Sequence, residues 1–313
     1  MKPAVVKSKA PLNDWQYFIG IDWSGAKGIT HQGIQLALAS PGQGAPVGIY
    51  PPDSAEWSRE AVRDYLIELV SSGAGSILVG IDFAFAHPFH DHDSYFPGQD
   101  MSPANAAGLW QLVEMVNKDN PHLYGGAMFT TEPWGDYYLA PPAYVKTAPL
   151  YQSRRRLAET ACREAGRSPS PTFKAVGADN VATGSMAGMR LLHQLKQRLG
   201  TQVAMWPFDD VDTVTAASLT LVEIFPSYHF HRAGFDPAHK AARDAGFMSD
   251  ALDAYGSDGV PPDYAPRGRD ADEADAMIAA AALRFFAPQP DYWFRPEQAK
   301  REGWIFGVPT KVV

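Results

Sequence analysis

Phe18-Ile19-Gly20-Ile21-Asp22-Trp23-Ser24-Gly25-Ala26-Lys27-Gly28 opens as an apolar run, ends in a carboxylate and breaks into a turn of small residues. Ile77-Leu78-Val79-Gly80-Ile81-Asp82-Phe83 has the same form. Short apolar runs bounded by turn residues are the pattern of buried strands. If the two strands lie parallel and side by side, Asp22 and Asp82 meet at one edge of the sheet. Open α/β sheets place their chemistry there, outside the carboxyl ends of the strands. Two further acidic points can be fitted to this edge. One is Glu223, in Leu219-Thr220-Leu221-Val222-Glu223-Ile224-Phe225-Pro226. The other is the pair Asp272 and Asp275, opening Asp272-Glu273-Ala274-Asp275-Ala276-Met277-Ile278.

The sequence around these points gives an element order. Tyr17–Asp22 is the first strand, Ile29–Ala39 alternates as a half-buried second strand, and Val47–Tyr50 is a short third, joined by turns short enough for antiparallel hairpins. Ser54–Ser71 is expected to be a helix capped by Ser54, with Trp57, Ala61, Tyr65, Leu66 and Leu69 on one face. It crosses back to a fourth strand at Ile77–Phe83, parallel with the first. Helices are expected at Ala104–Asn117, Gln152–Ala165 and Gly184–Leu199, with Pro141–Lys146 a loop. Strand character returns at Ala217–Phe225, a long helix covers Asp270–Phe286, and Gly303–Val308 forms a short last strand.

The domain reading is a tail over 1–16 and one α/β domain over 17–313, carrying a large, mostly helical insertion at about 90–206. A length of 313 residues allows this, and 45% hydrophobic with 20% charged residues is ordinary globular composition. No apolar run reaches the roughly 20 residues of a membrane span, so no membrane partner is expected. Met1–Asp14 lacks the apolar core of a signal peptide. Cys162 is the lone cysteine, which excludes an internal disulfide and a cysteine-based zinc site and suits a reducing cytoplasm. The net charge of −8 argues against a protein that coats nucleic acid through Lys and Arg. It leaves open a metal-dependent phosphodiesterase, because bound cations reverse the local field.

Taken together, the antiparallel hairpins, the helix, the carboxylate-ended fourth strand and the acidic C-terminal helix resemble the RNase H-like fold. The Asp272-Glu273-Ala274-Asp275-Ala276 stretch resembles the acidic helix start of RuvC-type Holliday-junction resolvases. Gly20-Ile21-Asp22-Trp23-Ser24, Val79-Gly80-Ile81-Asp82, Val222-Glu223-Ile224-Phe225-Pro226 and Glu302-Gly303-Trp304-Ile305-Phe306-Gly307 are similar to a family of uncharacterised proteins described as predicted RNase H-fold nucleases. The resemblance covers Phe18–Phe83 and Leu219–Val308. It implies that Asp22 is the first-strand catalytic aspartate, Asp82 the acid of the fourth strand, and Asp272 and Asp275 the helix pair. Glu223 is a further catalytic acid, although RNase H places its extra glutamate on a helix. Trp23 stands where a glycine usually follows the first aspartate, so it narrows the site or stacks a base. The implied cofactor is Mg²⁺ or Mn²⁺, held by Asp22, Asp82 and Asp275, and the implied partner is nucleic acid.

The chemistry is consistent with that implication. Carboxylates crowded at one edge repel unless one is protonated or a cation intervenes. Mg²⁺ takes oxygen ligands and keeps several waters, and two such ions can activate water and stabilise a leaving oxygen. Trp23, Ser24, Lys27 and Arg155 are the substrate-binding candidates. Arg154, Arg155 and Arg156 span nearly a helical turn, so they cannot all face one way, and Arg155 or Arg156 could hold a phosphate. Gly25-Ala26-Lys27-Gly28 lacks P-loop spacing. Ala86-His87-Pro88-Phe89-His90-Asp91-His92-Asp93 is compatible with metal ligands but has no recognised zinc pattern, and a solvated loop is its simpler reading. His229 and His231 carry the same ambiguity. Two other readings remain at this stage. One is an ATP-using enzyme of the actin and sugar-kinase superfamily, with Asp22-Trp23-Ser24-Gly25 as its phosphate loop. The other is a non-catalytic binding protein on the same fold.

Overall fold

The computed structural model describes residues 13–141, 148–177, 180–235 and 244–310. Most of the expected tail and the expected loop at Pro141–Lys146 lie outside the described residues. The fold is α/β, built on a mixed sheet. Its strands are β1 (Trp15–Asp22), β3 (Gln35–Ala39), β4 (Val47–Ile49), β6 (Ser76–Ile81), β7 (Val203–Trp206) and β8 (Leu219–Glu223), in the order β4-β3-β1-β6-β8-β7. β3 runs antiparallel to both β4 and β1, and β6, β8 and β7 continue parallel to β1. A small second sheet pairs β2 (Thr30–His31) with β5 (Trp57–Ser58). The expected second strand is thus split at a turn after His31, where Ile34 N donates to His31 O.

Side-chain alternation assigns the two faces of the large sheet. Ile19, Ile21, Ile77, Val79, Ile81, Leu219 and Leu221 face one way. They pack with Val62 and Leu66 of α1 (Arg59–Ser71), Leu109 of α2 (Ala106–Val116) and Met189 and Leu192 of α4 (Ala182–Leu199). Phe18, Leu78 and Val222 face the other way. They pack with Phe230 of α6 (Pro226–Arg232), Leu252 of α7 (Ala245–Asp253) and the alanine-rich α8 (Asp272–Phe286). Two short helices complete the parts that matter here: α3 (Leu157–Glu164) follows the arginine run, and α9 (Ala299–Glu302) precedes the final segment. α5 (Val211–Ala216) links β7 to β8.

α8 lies against β1, β3 and β6, and its approach is set by missing side chains. A Cβ on Gly20 would fall 2.2 Å from Ala276 O and 2.9 Å from Ala279 Cβ. One on Gly80 would fall 2.5 Å from Ile224 Cγ2 and 3.1 Å from Leu283 Cδ1. Gly20 and Gly80 are register partners, so the two glycines make one trough into which the helix fits. The small residues expected on α8 therefore do permit close docking.

Several boundaries differ from expectation. β1 begins at Trp15, inside the expected tail. The first helix is capped by Ser58, whose Oγ accepts from Ala61 N at 3.0 Å, while Ser54 closes a local turn with Glu56. β7 occupies the end of the stretch expected to be a helical insertion. Its four residues, Val-Ala-Met-Trp, are buried on both faces and too short to show a period. The helix expected from Gln152 starts only at Leu157, because Arg154 and Arg156 are drawn into long-range ion pairs. The last expected strand is reduced to one parallel bridge, Glu223 with Ile305.

Candidate functional site

β1 and β6 stop together. Their last register pair is Ile21 with Ile81, and Asp82 N donates to Ile21 O at 3.0 Å. Asp22 and Asp82 each follow that pair by one residue. They share the strand parity of Gly20 and Gly80, which face α8. Trp23 N donates to Asp22 Oδ1 at 3.0 Å, fixing the first carboxylate against its own turn. Asp272 and Asp275 come from the first turn of α8, and Asp270 N donates to Asp272 Oδ2 at 3.2 Å. The helix is entered through Ala271, whose φ of 62° is left-handed. Such a conformation is uncommon for a residue with a Cβ and is typical of functional sites. A Cβ on Gly33 would lie 4.0 Å from both Asp272 Oδ2 and Ser24 Cβ, so the turn after β2, the loop after β1 and the start of α8 meet at one point.

These elements enclose a cleft of about 770 Å³. Asp22, Asp82, Glu223, Asp272 and Asp275 all line it, so the five carboxylates singled out in the sequence are gathered by the fold. Its other walls come from Thr30–Gly33 and Glu56, from Pro169 and Ser170, and from Asn180, Val181, Thr183 and Gly184 where α4 begins. Eight carboxylates and two guanidiniums, of Arg156 and Arg269, line the cleft among the described residues.

Glu223 has a role of its own. It pairs with Ile81 in register, so alternation turns it to the face opposite α8. There Arg156 Nη1 donates to Glu223 Oε2 at 2.7 Å and Nη2 to Oε1 at 2.5 Å. Phe85 N also donates to Oε2. The same guanidinium reaches Glu159 Oε1 at 2.8 Å and the carbonyl of Glu302 at 3.0 Å. Arg156, Glu159, Glu223 and Glu302 are all buried. Burial pushes the Glu159 carboxyl up to about 7, with Arg156 opposing the shift. Glu302 accepts from Phe89 N, His90 N and Leu157 N. Gly303, with a φ of 82°, leaves room that a Cβ would take 3.3 Å from Arg156 Nη1 and Glu223 Oε2. The Glu302-Gly303-Trp304 stretch is therefore a clasp for this ion pair. Glu223 serves as the counter-charge of Arg156.

The substrate-binding candidates divide. Trp23 and Ser24 line the cleft. Trp23 is buried, packs against Phe83 with ring centroids 5.7 Å apart, and donates from Nε1 to Gly184 O at 3.2 Å. Its ring is thus a wall shared by β1, β6 and α4. Lys27 is exposed, and neither it nor Arg155 lines the cleft. Arg155 donates to Pro169 O at 2.6 Å, and Arg154 pairs with Asp91. The histidine-rich stretch does not form a cluster. His87 is buried between Thr172 Oγ1 and Tyr138 Oη, each at 2.8 Å, while His90–Asp93 is an exposed turn. His229 is buried and His231 exposed.

Three residues that the sequence reading passed over belong to the site. Arg59, fully buried, donates from Nη1 to Ser24 O at 2.8 Å and Ala26 O at 3.0 Å, and from Nε to His122 O. It braces the loop after β1 from beneath, and burial lowers its pKa to about 10. His31 lines the cleft, and burial, aided by the charge of Arg59, lowers its pKa to about 4. Arg269 is exposed at the cleft, directly before the acidic start of α8. A lone arginine opening a helix or a lone histidine in a strand carries no pattern, so periodicity offers no signal for either.

Among the described residues, no group of three or more His, Cys, Asp or Glu side chains is arranged as a ready metal cage. The donor set is nevertheless all carboxylate oxygen, which suits a hard cation. Mg²⁺ is usually held by one or two carboxylates, with waters and substrate phosphate completing its shell, in place of an all-protein cage. The chemistry of Asp22, Asp82, Asp272 and Asp275 fits an ion completed in that way. No helix among the described residues is long and apolar enough to cross a membrane. Cys162 is buried, and its thiol is pushed up to about 12 by burial. No family model, curated protein or solved structure matches the chain.

Proposed function

We propose that the chain is a metal-dependent phosphodiesterase on an RNase H-like fold, hydrolysing phosphodiester bonds of nucleic-acid type. The observation that carries this reading is that Asp22, Asp82, Asp272 and Asp275 line one cleft at the carboxyl ends of parallel strands. The strand order β4-β3-β1-β6-β8, antiparallel and then parallel, supports the fold assignment. One or two of Asp22, Asp82 and Asp275 would hold each Mg²⁺ or Mn²⁺ ion, with waters and substrate phosphate completing its shell, and a bound ion would supply a water nucleophile and charge stabilisation at the leaving oxygen. The chain's own part is positional. Trp23 N fixes Asp22, Arg59 holds the loop that follows it, and the glycine trough seats the helix carrying Asp272 and Asp275. Arg156 is paired with Glu223, so this acid is not a further uncompensated charge beside the crowded aspartates.

The test is a cleavage screen with Mg²⁺ or Mn²⁺ over dinucleotide, single-stranded, duplex, hybrid and branched substrates. Metal-dependent cleavage that disappears in Asp22→Asn is the expected result. No cleavage of any substrate, together with a metal response identical in wild type and Asp22→Asn, would overturn the reading.

A further inference from the structure

We infer that the substrate is a single-stranded phosphodiester of dinucleotide size, taken whole into the cleft with its bridging phosphate gripped by Arg269. The inference rests on the phosphodiesterase reading above and narrows it.

Size is the first argument. The cleft holds about 770 Å³, inside the roughly 300–1,000 Å³ of pockets that enclose a small ligand. Surfaces that bind duplexes are of another kind, covering about 1,000–2,500 Å² and strongly basic. Here the carboxylates are walled on three further sides, by the turn after β2, by Pro169 with Asn180 and Thr183, and by Arg269 with Asp270.

Charge is the second. Eight carboxylates line the cleft, and of its two guanidiniums Arg156 is fully engaged with Glu223 and Glu159. Arg269 is the remaining cation among the described lining residues. A longer strand would bring further phosphates past the acidic walls, where besides the bound ions only Arg269 among the described lining residues opposes them. A dinucleotide brings a single bridging phosphate. One arginine beside the metal-binding acids matches that charge, and a guanidinium suits phosphate oxygens geometrically.

The third argument is the neutral wall. Ser170, Asn180 and Thr183 supply hydroxyl and amide groups. His31, 6% exposed, lines the same cleft, and its Nε2 is buried with no hydrogen-bond partner among the described residues. Buried polar atoms are nearly always paired, so this orphan on a lining residue is an atom that a ligand's polar group would satisfy. Sugar and base edges provide such groups.

The experiment compares kcat/KM, with Mn²⁺ and the full chain, for a linear dinucleotide, a single strand of about 20 nucleotides and the matching duplex. Alongside it, calorimetry measures binding of a non-hydrolysable phosphorothioate dinucleotide to wild type and Arg269→Ala. We expect kcat/KM for the dinucleotide to exceed the per-bond value for the long strand by about tenfold or more, and the duplex to stay uncut. Arg269→Ala should weaken analogue binding by about tenfold and raise KM more than it lowers kcat. Equal or faster cleavage of the long strand or duplex overturns the inference while the phosphodiesterase reading stands. Unchanged analogue affinity in Arg269→Ala overturns the phosphate grip. No cleavage of any substrate overturns both readings together.

Discussion

Arg156 grips both carboxylate oxygens of Glu223, at 2.7 and 2.5 Å, in the wall of the cleft that Asp22 and Asp82 floor. Removing one member of a buried pair leaves an uncompensated charge, which typically costs about 3–5 kcal/mol. Glu223→Gln is therefore expected to lose stability on that scale, and Arg156→Met to lose at least as much, since Glu159 is stranded as well. Urea unfolding of both variants checks this. Wild-type midpoints would show that the pair does not hold the segment before α3 to the sheet.

Asp275→Asn is expected to behave in the opposite manner. It removes a charge from the acidic cleft while keeping the size of the side chain and its capacity to hydrogen-bond, so the fold should hold while metal-dependent cleavage is lost. Glu273 is turned away from the cleft, accepting from Tyr50 Oη at 2.8 Å and from Arg267 N at 2.8 Å. Glu273→Gln should keep its activity and lose about 1 kcal/mol of stability. Cleavage assays and thermal melts on the pair separate the two effects, and loss of activity in Glu273→Gln alone would reverse the assignment.

Mn²⁺ or Mg²⁺ should raise the melting temperature by mass action, by the equivalent of about 2.7 kcal/mol at a hundredfold excess over Kd. Asp22→Asn should reduce that rise. Calorimetric scans with and without metal are the measurement, and an unreduced rise in the variant would remove Asp22 from the metal site.

Gly20→Ala should be severely destabilising. The new methyl would stand 2.2 Å from Ala276 O and 2.7 Å from Ala280 N, backbone atoms that move only with the whole of α8. Overpacking of this sort costs about 1–3 kcal/mol or more. Circular dichroism melts should show it, with Gly73→Ala as a comparison in open space, since nothing lies within 4 Å there. Gly73 has a φ of 71°, so its variant still carries the ordinary left-handed penalty and is a demanding control.

Acid should destabilise the fold through its buried histidines. Burial lowers His31 and His229 to about 4 and His87 well below its ordinary value. The unfolded chain protonates these rings near 6.5 while the folded chain keeps them neutral. Their contribution to stability is thus fully present above about 6.5 and is lost as pH falls from there towards 4. For the fully buried His229 the loss amounts to roughly 3 kcal/mol at most. Unfolding free energies measured across pH 4–7.5 should show the slope, and His229→Asn should flatten it. An identical slope in the variant would place the proton uptake elsewhere.

Much of the site was written along the chain. The short apolar runs and terminal carboxylates of Phe18–Asp22 and Ile77–Asp82 are local signals, and they sufficed to bring Asp22 and Asp82 to one edge. The three-residue spacing of Asp272 and Asp275, with alanines behind them, likewise sufficed to give a helix that could dock closely. Tertiary structure decided the rest. Glu223 resembles the other strand-end acids in sequence, yet its register with Ile81 turns it to the opposite face, where Arg156 arrives from 67 residues away. Register between strands is a long-range property, and no local period contains it. Arg154–Arg156 carried helical propensity, but the free energy of pairing buried charges outweighed it and held the chain extended until Leu157. Arg59, His31 and Arg269 are single residues whose meaning lies wholly in their neighbours, and those neighbours come from distant segments. What the amino-acid order determined by itself was the set of elements and the acids that end them. Which acids share a cleft, and which is neutralised in its wall, was decided by how the strands align and where the helices pack.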